Sequence, residues 1–201
     1  MELYAAGGMQ FVSKLNSLGK KVFLDLKLYD IGETVKRATR RICETGTPTF
    51  LTVHGSRVVM QAAVEGRGNS RTQLLAVTVL TSFDQEDLAD LGYNLPVSDL
   101  VELRVNKAKE SGMDGIVCSP VDVARVRQVA GRDLTLVTPG VRSAGAPKGD
   151  QKRVATPEEA MHDGADYLVI GRQVTRAADP RAACDEILAE ISTAASISRT
   201  R

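Results

Sequence analysis

The chain predicts an α/β fold built on a parallel sheet. Three observations carry this. Short apolar runs alternate with amphipathic segments along the whole length. The runs are continuously apolar, as expected where a parallel sheet is buried on both faces. And 201 residues with 43% hydrophobic content, 25% charged content and no Trp suit one α/β domain that buries roughly 70% of its unfolded surface without a metal or disulfide.

The elements follow in order. Gln10 to Ser17 reads as a helix that delivers the chain into a first strand, Val22 to Leu28. Glu33 to Thr45 is a helix with Val35, Ala38, Ile42 and Cys43 at helical spacing. Thr49 to Val53 is a strand, Arg57 to Glu65 a helix ending near Gly66 and Gly68, and Leu74 to Leu80 a strand. Asp84 to Leu91 and Val97 to Glu110 are helices. Gly115 to Cys118 is a strand, Val121 to Val129 a helix, and Leu134 to Thr138 a strand closed by Pro139-Gly140. Thr156 caps a helix over Pro157 to His162, with Pro at its first position. Tyr167 to Ile170 is the last strand and Ala182 to Ile191 the last helix, before a frayed S-I-S-R-T-R tail. This makes six strand–helix units. Asn69 to Thr72 is a turn and Ser143 to Lys152 a loop, so no linker divides residues 1–201, which read as a single domain.

Composition narrows the function. Lys plus Arg is 26 and Asp plus Glu is 25, a net charge of +1, which disfavours a nucleic-acid partner. Cys43, Cys118 and Cys184 lie far apart without a C-x-x-C, so neither a zinc cluster nor a disulfide framework is expected, and a reducing compartment fits. No apolar run reaches about 18 residues, and M-E-L-Y-A-A-G-G has neither the basic nor the apolar region of a secretory signal. Signatures of zinc hydrolysis, serine acyl transfer and P-loop chemistry are missing from the sequence.

The sharpest chemical signal is Asp25-Leu26-Lys27-Leu28-Tyr29-Asp30. Alternation puts Asp25 and Lys27 on one face of the first strand, and Asp30 just past its end. Charges inside an apolar strand are costly unless paired, and a strand C-terminus is where α/β barrels carry catalytic groups. A structural ion pair between Asp25 and Lys27 is the alternative. A second signal is Ile170-Gly171-Arg172: Gly171 admits close approach of an anion and Arg172 can clamp a phosphate; a solvated Arg beside a turn is the plain alternative. The long loop after Pro139-Gly140 adds Arg142 and Gln151 and has the glycines of a lid, or of an ordinary surface loop. Thr78, Thr81 and Ser82 end the third strand with hydroxyls that can bond a ligand or only the backbone. His54 ends the second strand, where it can line a site or simply pack; His162 falls on a helix surface.

Together these pieces resemble the orotidine 5′-phosphate decarboxylase family. F-L-D-L-K-L-Y-D-I is similar to its D-x-K-x-x-D strand, and L-L-A-V-T-V-L-T-S to its fifth barrel strand. L-V-T-P-G-V-R, D-Q-K-R and Y-L-V-I-G-R-Q-V-T are similar, in order and spacing, to its phosphate-side loops. The resemblance covers nearly the whole chain. It implies a TIM (β/α)8 barrel, of which this chain carries about six units, acting as a cytoplasmic homodimer in pyrimidine (UMP) biosynthesis. The reaction implied converts orotidine 5′-phosphate to uridine 5′-phosphate and carbon dioxide without metal or organic cofactor.

By the same resemblance Lys27 would protonate C6 of the pyrimidine, Asp25 would sit near the scissile carboxylate, and Asp30 would reach the site across the dimer interface. Asp25 to Thr34 would line the site, Thr81 would contact the pyrimidine, and Arg142, Gln151, Gly171 and Arg172 would hold the phosphate. The family's second network lysine and a substrate-contacting aspartate would lie on two strands ahead of Met1. Two other readings compete: a Mg²⁺-dependent sugar-phosphate lyase or synthase on the same barrel, and a phosphate-ligand-binding fragment with impaired catalysis.

Overall fold

A computed structural model describes residues 2–145 and 152–198. In chain order the elements are α1 (Glu2–Ser17), β1 (Phe23–Leu28), α2 (Gly32–Thr45), β2 (Phe50–His54), α3 (Arg57–Arg67) and β3 (Gln73–Val77). There follow α4 (Gln85–Asp90), α5 (Val97–Glu110), β4 (Gly115–Val117), a 3-10 turn (Pro120–Asp122), α6 (Val123–Ala130) and β5 (Thr135–Pro139). The chain closes with α7 (Pro157–His162), β6 (Tyr167–Val169), α8 (Arg172–Thr175) and α9 (Pro180–Ser198). Strand order follows chain order from β1 to β6, and the pairs β1–β2, β2–β3 and β5–β6 are parallel. The alternation read from the sequence is therefore real, with six strands.

Several boundaries differ for physical reasons. α1 begins at Glu2 rather than Gln10, because Gly8 at φ 54° lets two helical stretches join across a kink. β3 stops at Val77, three residues before Leu80: the Gly55 N–H closes the β2–β3 ladder on the Val77 carbonyl, and the next carbonyl, that of Thr78, is taken by the Arg104 guanidinium instead. α9 runs through Ser198, past the expected end at Ile191, and α8 was not anticipated. The expected cap at Thr156 is a complete capping box with Glu159, and Asp84, read as the first helical residue, is instead the cap of α4 and forms a second box with Asp87.

Contacts divide the chain into two compact units. The first is Met1–Thr78 with Arg104–Ile116. Its core holds Val35, Leu51, Val53, Met60, Leu74, Leu75, Val105 and Ile116. α2 lies against α3 at Gly66, where any Cβ would meet the Lys36 carbonyl. The second unit is Val79–Leu103 with Val117–Arg201, and its core holds Leu88, Leu100, Val123, Val126, Leu136 and Val141.

Each unit uses the same device to set a strand. In the first, Asp114 accepts the Leu74 N–H at 2.7 Å and pairs with Arg67 of α3. In the second, Asp166 accepts the Leu136 N–H at 2.8 Å and pairs with Arg127 of α6 at 2.6 Å. Both aspartates stand two residues after a glycine of positive φ, Gly112 and Gly164. That glycine turns the chain out of the preceding helix, and the carboxylate satisfies an N–H at the start of the neighbouring strand.

Candidate active site

In the first unit the site grows from an irregularity in β1. The register with β2 runs Phe23 to Phe50 and Leu24 to Leu51, then resumes at Leu28 with Val53, so four residue steps of β1 face two of β2. Lys27 sits in this bulge at φ 52°, a left-handed conformation unusual for a side-chain-bearing residue. Lys27 Nζ donates to Asp25 Oδ2 at 2.6 Å. Thr52 Oγ1 of β2 donates to Asp25 Oδ1 at 2.8 Å and accepts the Lys27 backbone N–H at 2.9 Å. Leu26 and Leu28 turn instead into a hollow lined by Met9, Ala38 and Ile42.

Magnitudes separate the two readings of this pair. The side chains of Asp25 and Lys27 are each 36% exposed, not sealed in the core as the apolar strand suggested. An ion pair that open contributes about 0–1 kcal/mol. The left-handed backbone at Lys27 costs about 1–3 kcal/mol. Stability alone does not account for the arrangement, and strained backbone of this kind clusters where a side chain is being aimed.

Around it, Tyr29 stacks on His54 with ring centroids 4.2 Å apart and planes at 28°. Burial, and then the positive charge of Arg104, pull the His54 pKa from 6.5 down to about 4, so its imidazole is neutral at pH 7. Asp30 is exposed, and its carboxylate accepts the next backbone N–H, that of Ile31, at 2.7 Å. Tyr29 and Ile31 flank it at 69% and 73% exposure. Thr34 lies in the first turn of α2, also exposed.

In the second unit, Thr81 is buried and its carbonyl accepts the Lys152 N–H at 3.3 Å. The Lys152 ammonium bridges Asp84 at 2.6 Å and Asp87 at 2.9 Å, and the hydrogen bond from Lys152 holds the Asp84 carboxyl down to about 2. Arg153 and Asp122 pair at 2.6 Å with both side chains only 13% exposed. Arg142 donates to the Val141 carbonyl at 2.6 Å, and its N–H to Ala155 at 3.0 Å. Gly171 starts α8 with open space on its Cα, and Arg172 is exposed.

The loops after β5 and β6 are tied together: Gln173 Nε2 donates to Ser143 Oγ at 2.6 Å, and the Ser143 N–H donates to Gln173 Oε1 at 3.2 Å. Arg142 and Arg172 are the immediate neighbours of that pair. Gln151 lies outside the described residues.

Asp25 and Lys27 are therefore joined as expected, while Asp30 and Thr34 stand apart on the surface. Thr52, Arg104 and Gln173 were not anticipated as site residues. Thr52 and Arg104 carry no local pattern that marks them; Gln173 follows the expected Gly171-Arg172, so its position was the available signal. Among the described residues no cluster of three or more His, Cys, Asp or Glu could hold a metal ion, and no helix is long and apolar enough to cross a membrane.

Known proteins resemble this chain over nearly its whole length. A family model described as "Orotidine 5′-phosphate decarboxylase / HUMPS family" matches residues 1–187. An orotidine 5′-phosphate decarboxylase of Rhodopseudomonas palustris (strain BisA53) is 56% identical over 190 residues, covering 94% of this chain and 80% of the relative. One from Bradyrhizobium diazoefficiens is 52% identical over 189 residues, covering 94% and 79%. The crystal structure of orotidine 5′-phosphate decarboxylase from Lactobacillus acidophilus superposes with a TM-score of 0.79 at 36% identity, covering 92% of this chain and 81% of that one. The fold is accordingly α/β of the TIM-barrel class, with six strands of it described here. On motif, fold and identity alike, the chain belongs to the orotidine 5′-phosphate decarboxylase / HUMPS family.

Proposed function

We infer that this chain is a decarboxylase that converts orotidine 5′-phosphate to uridine 5′-phosphate and carbon dioxide in pyrimidine biosynthesis. The observation that carries the reading is the Lys27 ammonium, held 2.6 Å from Asp25 on strained backbone at the end of β1. Decarboxylation breaks the bond between C6 and the carboxyl carbon and leaves the electron pair on C6. A preorganised ammonium stabilises that charge as it develops and then transfers its proton to C6. Lys27 recovers a proton from solvent. Asp25 positions the ammonium and lies beside the departing carboxylate.

The phosphate is remote from the reacting bond. Arg142, Gln151, the Gly171 N–H and Arg172 bind it, and that binding energy is available for orienting the substrate. Thr81 is assigned to the pyrimidine, and Thr34, exposed in the first turn of α2, to substrate binding. Asp30 acts across a homodimer interface; its exposure between the exposed apolar Tyr29 and Ile31 supports that role. The protein works in the cytoplasm as a single decarboxylase domain, with no cofactor.

The second reading is a Mg²⁺-dependent sugar-phosphate lyase or synthase on the same barrel. The deciding experiment follows the ultraviolet absorbance of orotidine 5′-phosphate with and without chelator. Turnover indifferent to chelator is expected. No turnover, with tight uridine 5′-phosphate binding, supports a binding protein instead, and activity abolished by chelator supports the second reading.

A further inference from the structure

Thr52 lies at the centre of β2 and is fully buried. It stands opposite the bulge, between the paired residues Leu51 and Val53. The bulge takes the Lys27 N–H out of the regular ladder, and the Thr52 hydroxyl accepts it at 2.9 Å. The same hydroxyl spends its proton on Asp25 Oδ1 at 2.8 Å. Asp25 Oδ2 is thereby left to the Lys27 ammonium at 2.6 Å. One oxygen thus fixes both the backbone and, through Asp25, the charged end of the same lysine, whose φ of 52° would otherwise tend to relax.

We propose that Thr52 is a positioning residue for the reaction: its hydroxyl locks the bulged backbone of Lys27 and the rotamer of Asp25, so that the ammonium is presented to the reacting carbon in one geometry. This rests on the role given to Lys27 above. Thr52 does not touch the substrate; it acts through its two partners. A hydroxyl is required, because a methyl in its place takes the partner from the part-buried Lys27 N–H and from one Asp25 oxygen.

The test compares Thr52→Val, which keeps the shape, with Thr52→Ser, which keeps the hydroxyl. Misplacing a reacting group by a fraction of its reach costs roughly tenfold to a hundredfold in rate. Thr52→Val should lower kcat by that factor with KM for orotidine 5′-phosphate within about threefold, and Thr52→Ser should stay within about threefold of wild type in both. Wild-type kcat in Thr52→Val, or Thr52→Ser as slow as Thr52→Val, overturns the proposal. If Thr52→Val does not fold, Thr52→Ala takes its place.

A second readout needs no turnover. Hydrogen exchange at the Lys27 amide should be at least about tenfold faster in Thr52→Val than in wild type or Thr52→Ser; unchanged exchange overturns the proposal. If wild type itself does not decarboxylate, the functional reading fails alone, and the exchange measurement still decides whether Thr52 holds Lys27.

Discussion

Replacing His54 by Phe isolates one proton-linked contribution to stability. The imidazole stacks on Tyr29, and its pKa falls from 6.5 to about 4, through burial first and Arg104 second. A phenyl ring keeps the stack and cannot titrate. The sign follows from which state binds the proton. Between pH 6.5 and 4 the unfolded chain protonates His54 while the native chain resists, so native stability is complete above pH 6.5 and is lost as pH falls towards 4. A fully expressed shift of that size is worth about 3 kcal/mol. His54 is only half-buried, and solvent screening reduces this to about 1–2 kcal/mol. Urea unfolding at pH 7 and pH 4.5 measures the effect. Wild type should lose about 1–2 kcal/mol more than His54→Phe over that interval; contributions from other groups cancel in the difference. Identical pH slopes in the two proteins would refute the reasoning.

Further expectations concern chemistry and packing. Lys27→Ala should lower kcat by at least roughly a hundredfold to ten-thousandfold, while calorimetry finds uridine 5′-phosphate binding little changed, since the residues proposed to hold the phosphate are other ones. Gly66→Ala drives a methyl into the Lys36 carbonyl of α2, and backbone cannot swing away, so thermal unfolding should report a loss of about 1–3 kcal/mol. Arg153→Met strands Asp122, which is 13% exposed. Burial already pushes the Asp122 carboxyl up. Denaturant unfolding should give a loss of about 3 kcal/mol, and an unchanged midpoint would mean that the pair is not held in solution.

Much of this was legible in the residues. Runs such as L-L-A-V-T-V and F-L-T-V-H mark strands because apolar, β-branched side chains need burial on both faces. Val35, Ile42 and Cys43 mark α2 because helical spacing brings them to one buried face. Alternation put Asp25 and Lys27 on one face, with an ion pair between them as one of two readings. The ordered motifs marked the family. What the sequence understated was exposure: the Asp25–Lys27 pair sits in an apolar strand yet is 36% open, because the bulge lifts it out of the ladder.

The sequence by itself therefore determined the strand–helix alternation, the charged strand, the cap at Thr156, and the family. These depend on period, composition and near neighbours. Tertiary structure alone decided the two-residue excess in β1, the left-handed turn of Lys27, the Thr52 bridge, the neutral His54 under Tyr29 and the Ser143–Gln173 tie. Each of these joins positions distant in the chain or sets a backbone angle through them, and the energy of such a contact depends on where folding places the partner, which no local pattern of residues encodes.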